Sequence, residues 1–101
     1  MIKFKSKKAI KEYLSESNPE ALTIDDHDKA LIGVCETFNG YVAIYDPDII
    51  IETLMKQGMD YEEAEEFFRY NIIGAYMGEY TPIYLTGIQW ESKNRKKKHT
   101  K

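Results

Sequence analysis

Residues 46–82 read DPDIIIETLMKQGMDYEEAEEFFRYNIIGAYMGEYTP, two consecutive helices and a glycine-punctuated turn. Asp46 can accept from the orphan amides of a first helical turn, and Pro47 suits the first helical position, where its missing N–H has no partner to lose. Asp48 adds negative charge at the positive end of the helix dipole. Ile50, Ile51, Leu54 and Met55 recur at three- and four-residue steps, which makes one face apolar. Gly58 fits a left-handed C-terminal cap. Asp60 with Glu63 three residues on is a variant capping box that starts the second helix. Its buried stripe is predicted as Tyr61, Ala64, Phe67, Phe68, Ile72 and Ala75, with Glu62, Glu63, Glu65, Glu66 and Arg69 outside. Asn71 falls beside that stripe, where an amide is expected to satisfy the backbone of the loop that follows.

Upstream, Ile2 and Phe4 alternate with lysines as in a short edge strand. Ser6 can cap a helix over residues 7–17 with Ala9, Ile10, Tyr13 and Leu14 inward, ended by Asn18-Pro19. Residues 20–29 read as a loop, extended at Leu22 to Ile24. Residues 30–36 are apolar without alternation, which predicts a strand buried on both faces. Asn39-Gly40 marks a tight hairpin turn, and residues 41–45 return. After Pro82, residues 83–86 give a third strand that can run on towards Trp90. The order α-β-β-α-α-β predicts an α+β fold: a small, mainly antiparallel sheet of about three strands with about three helices on one side. Residues 1–91 form one domain on this reading, and residues 92–101 are expected to be a basic mobile tail.

The pairs Tyr45-Asp46, Ile51-Glu52 and Leu54-Met55, then Gly58-Met59, Tyr61-Glu62-Glu63-Ala64, Glu66-Phe67-Phe68, Asn71, Gly74-Ala75-Tyr76, Gly78-Glu79 and Thr81-Pro82, resemble a family of short uncharacterised proteins from bacterial and bacteriophage genomes. The likeness covers about Leu31 to Leu85. It implies a bacterial or phage origin and brings no activity, cofactor or catalytic residue with it.

Charge is segregated. The net charge is −3 over 101 residues, yet residues 1–11 hold five lysines and no acid, and residues 93–101 hold five lysines and one arginine, again with no acid. All seventeen acids lie between Glu12 and Glu91, with only Lys29, Lys56 and Arg69 among them, so that segment carries 3 − 17 = −14. A whole-chain average hides this separation. The expected partner is therefore a protein with a basic surface. Asp60, Glu62, Glu63, Glu65 and Glu66 form the expected contact stripe, and Asp25, Asp26 and Asp28 a second patch. A phage-type inhibitor or nucleic-acid mimic is one instance of such a binder. The alternative is a nucleic-acid-binding accessory protein acting through Lys93, Arg95, Lys96, Lys97, Lys98 and Lys101.

Chemical signals are sparse. Asp25-Asp26-His27-Asp28 gathers ligand types, but side chains in a row cannot all converge on one ion, so no metal ligand is assigned. A small metal-dependent enzyme centred on His27 is the third reading. Cys35, the lone cysteine, reads as an inert core thiol of a reducing cytoplasm. There is no phosphate-cradling glycine loop, no CxxC pair and no nucleophile with a base in a known spacing, so no catalytic residue and no cofactor are expected. Met1-Ile2-Lys3-Phe4-Lys5 lacks the apolar core of a secretory signal, and no apolar run approaches the ~20 residues of a membrane span. Tyr76, Met77 and Tyr80 are candidates for self-association.

Overall fold

Ser6 accepts from the Ala9 amide through its hydroxyl at 3.1 Å and starts helix α1, Lys7–Ser17. The helix ends where the Asn18 amide donates to the Leu14 carbonyl at 2.8 Å. The Asn18 side chain then donates to the Tyr41 carbonyl at 2.8 Å, tying the helix end to the sheet. These contacts come from a computed structural model that describes residues 4–86. The expected tail, its six basic residues named above, Ile2 and the run from Gly87 to Trp90 lie outside the described residues.

Strand β1, Leu31–Thr37, and strand β2, Gly40–Tyr45, form the hairpin. The turn residues are Phe38 and Asn39. The Thr37 hydroxyl closes the turn, accepting from the Asn39 and Gly40 amides at 3.1 and 3.2 Å and donating to the Gly40 carbonyl at 2.6 Å. Gly40 has φ +141, a conformation that a side chain resists. Helix α2, Pro47–Lys56, follows, with the Asp46 carboxylate accepting from the Asp48 amide at 2.9 Å. Helix α3, Tyr61–Phe67, begins with the capping box in full: the Glu63 amide donates to Asp60 at 2.8 Å, and the Asp60 amide donates to Glu63 at 3.0 Å. The chain returns as strand β3, Ile83–Tyr84.

The strand order is β1-β2-β3, with β1 antiparallel and β3 parallel to β2. The sheet is thus mixed rather than mainly antiparallel. Asn39-Gly40 can only reverse the chain, whereas α2 and α3 carry it across the sheet and bring β3 back in the direction of β2. The helices share one side. Ile10 and Leu14 of α1, Ile50, Ile51 and Leu54 of α2, and Ala64 and Phe68 meet Leu31, Ala43 and Tyr45 of the sheet in one buried cluster.

Strand β1 is not buried on both faces. Ile32 and Glu36 are exposed, and Gly33, Val34 and Cys35 are half-buried. It is an edge strand, irregular between Leu31 and Gly33, and of its side chains only Leu31 and Val34 join the buried cluster. Cys35 accordingly sits in a half-buried position, not in the core.

The stripe predicted for the second helix holds for Ala64, Phe68 and, in part, Ile72, but Tyr61, Phe67 and Ala75 are exposed. Tyr61 stands in the first turn of α3 and Phe67 beside Phe68, both on the regular helix, whereas Ala75 leaves the stripe through a change of helical period. After Phe67 the chain widens into a π-helical segment, Phe68–Ile73, and the Gly74 amide donates five residues back to the Arg69 carbonyl at 3.1 Å. The extra residue rotates everything beyond it away from a 3.6-residue stripe. Gly74 is required at the exit, because a Cβ there would lie 2.9 Å from the Tyr70 carbonyl oxygen.

Candidate functional site

The acidic residues of α3 have three environments. Asp60 and Glu63 are exposed but held by their reciprocal capping bonds. Glu65 pairs with Arg69 one turn on, at 3.3 Å. Glu62 and Glu66 are exposed at i and i+4, and no basic side chain among the described residues pairs with either. Like charges at this spacing repel, so the fold gains nothing from placing them together. Further along the chain, large apolar side chains stand open to solvent: Tyr70 and Tyr76 are each 74% exposed and Met77 is 70% exposed. Tyr80 does not join them. It is half-buried, donates to the Asn39 carbonyl at 3.3 Å and packs near Gly40.

The second acidic patch is divided between two hollows. Asp28 contacts Lys11 through both carboxylate oxygens at 3.2 Å. Asp26, in the left-handed region at φ 68, lines a surface hollow with Asp28, Lys29, Glu52 and Lys56, where the charges are mixed. Asp25 faces the other way, into a cleft of about 240 Å³ formed by the segment 22–25, the end of the π-helical segment and residues 81–84. Residues 4–86 carry seven bases and sixteen acids, a net 7 − 16 = −9, and the Lys8–Glu12, Lys11–Asp28 and Arg69–Glu65 pairs leave that excess unchanged, because each joins one base and one acid already counted.

Asn71 behaves differently from expectation. The loop after the helix is closed by Thr81, whose hydroxyl accepts from the Met77 amide at 2.8 Å and donates to the Gly78 carbonyl at 2.7 Å. Asn71 is exposed, lines the cleft and makes no hydrogen bond among the described residues. The sequence reading missed both the cleft and the π-helical segment. Six residues are too few for a period of five to show, and the cleft is assembled from segments some fifty residues apart. Phe38, fully exposed at the hairpin tip, carried no signal beyond its turn position.

His27 is buried, with 6% of its surface exposed, and its Nδ1 has no hydrogen-bond partner. Burial holds the imidazole below its ordinary pKa, against a smaller raising effect of Asp26. Among the described residues no three His, Cys, Asp or Glu side chains stand together to hold a metal ion. The folded ring binds fewer protons than the unfolded one, whose pKa is the ordinary 6.5. Its contribution to stability is therefore complete above about pH 7 and declines as the pH falls below the unfolded value. Urea unfolding across that window should show the decline. His27→Phe should flatten it, and a decline unchanged in the variant would assign it to other groups.

No described helix is long and apolar enough to cross a membrane. Family models, curated proteins and solved structures give no match to the chain.

Proposed function

We propose that the chain is a non-enzymatic binding protein whose α3 surface docks on a positively charged protein partner. The observation that carries this reading is the exposed pair Glu62 and Glu66, without basic partners among the described residues, followed in the chain by the exposed Tyr70, Tyr76 and Met77. The backbone that carries these carboxylates is already fixed by a capping box, so the entropy lost when a cationic groove receives them is confined to their side chains. Their field speeds encounter, and the exposed aromatic residues supply the apolar contact that charge alone does not. A partner whose own ligand is nucleic acid fits, because its Lys- and Arg-lined groove is spaced for regularly placed anions. A phage-type inhibitor of such a partner is one form that this reading takes.

Paired affinity capture tests this. The baits are the wild-type chain and a variant with Glu62→Lys and Glu66→Lys, together with Glu63→Gln, which keeps the capping bond. Basic proteins should be retained by the wild type at about 50 mM salt, released at about 500 mM, and held by the variant at least about tenfold less. The same proteins on both baits, in the same amounts, would contradict the proposal.

A further inference from the structure

We infer that the cleft between the segment 22–25 and the π-helical segment receives one large apolar side chain of the partner, flanked in the partner's sequence by Lys or Arg. This rests on the acidic-surface reading and adds an anchor to it. The cleft's walls include Ile24, Ile72, Met77 and Tyr84, and Asp25 and Asn71 join Thr23 and Thr81 as its polar side chains. Its volume of about 240 Å³ falls below the ~300–1,000 Å³ of sites that enclose a whole small molecule, and suits a single side chain.

The polar groups set the chemistry of the occupant. Asp25 is exposed and has no basic partner among the described residues, so a cation beside the inserted side chain is complemented there. Asn71 offers an amide donor and acceptor with no hydrogen bond among the described residues, the groups that a peptide backbone matches. Met77 adapts to apolar shapes of different branching.

The walls are fixed before binding. The Ile24 amide donates to the Tyr45 hydroxyl at 2.9 Å, and the Leu22 amide donates to the Tyr80 carbonyl at 3.2 Å. Thr81 clasps the opposite loop. Asn71 and Ile72 lie on the π-helical segment that directly continues α3, so the cleft is a few residues along the chain from the acidic stripe. The π-helical segment has a use here. It turns Asn71, Ile72 and Ala75 towards segment 22–25, and such segments recur at functional sites.

The test is an NMR titration of the full ¹⁵N-labelled chain with the peptide acetyl-Gly-Lys-Leu-Arg-Gly amide and its counterpart with Ala for Leu. The leucine peptide should shift the amides of Ile24, Asn71, Ile72 and Tyr84 and bind at least about tenfold more tightly than the alanine peptide. Ala75→Trp fills the cleft from an exposed position and should remove that difference. Equal binding of the two peptides, or a leucine preference untouched by Ala75→Trp, overturns the inference. Isoamylamine binding as tightly as the leucine peptide would also overturn it, reassigning the cleft to a free amine. In the variant with Lys at 62 and 66, the leucine preference should persist at lower overall affinity. Unchanged affinity there speaks against the α3 stripe, while the leucine–alanine comparison still judges the cleft by itself.

Discussion

Phe68→Ala will cost the fold about 3–5 kcal/mol, the range for truncating a buried aromatic. Phe68 is 1% exposed and meets the Tyr84 ring edge-on, with centroids 5.5 Å apart. It stands where α3 gives way to the π-helical segment, so it joins both to β3. Domains of this size hold about 5–15 kcal/mol in all, and such a loss leaves little. Denaturant unfolding should show a large fall in midpoint with an unchanged slope. The control is the adjacent residue: Phe67, 36% exposed, lies outside the core, and Phe67→Ala should cost far less. Similar costs at the two positions would mean that the helix is rotated from the arrangement described.

Tyr45→Ala should be as severe, and its parts can be separated. The side chain is fully buried, between the helices and β3, and its hydroxyl accepts from the Ile24 amide at 2.9 Å. Tyr45→Phe keeps the ring and orphans that amide, at about 1–3 kcal/mol. Tyr45→Ala adds the cavity left by the ring, for about 3–5 kcal/mol or more in total. The partial effect has a local signature. In Tyr45→Phe, hydrogen exchange at the Ile24 amide should quicken more than exchange in β2. Because that bond also places one wall of the cleft, the leucine peptide should bind Tyr45→Phe more weakly. Unaltered exchange at Ile24 would show that segment 22–25 is held by other contacts.

The parts of this fold that could be read from sequence are those whose signals are local. Ser6, Asp46-Pro47 and the Asp60–Glu63 box act within four residues of their helix starts, and all three helices begin at them. Asn39-Gly40 likewise placed the hairpin turn to within one residue, the turn itself being Phe38 and Asn39 with Gly40 opening β2. The direction of β3 was not local. It follows from how α2 and α3 cross the sheet, and nothing in Ile83-Tyr84 records it. The burial of β1 depends on what packs over each of its faces, which an unalternating apolar run does not reveal. Asn71 and Tyr80 exchanged expected roles for a related reason. Thr81 took the loop-closing bonds assigned to Asn71, and Tyr80 took a structural contact forty-one residues away. The candidate surface was legible as a charge excess. Its composition was not, because the pairings of Glu65 with Arg69 and Asp28 with Lys11 needed coordinates to appear.

A cation footprint bears most directly on the reading of α3 as a docking surface. Deca-arginine titrated into the full ¹⁵N-labelled chain should shift the amides from Asp60 to Tyr70 most, and the shifts should fade between about 50 mM and about 500 mM salt. Shifts strongest at residues 25–28, or spread evenly over every acidic loop, would contradict it.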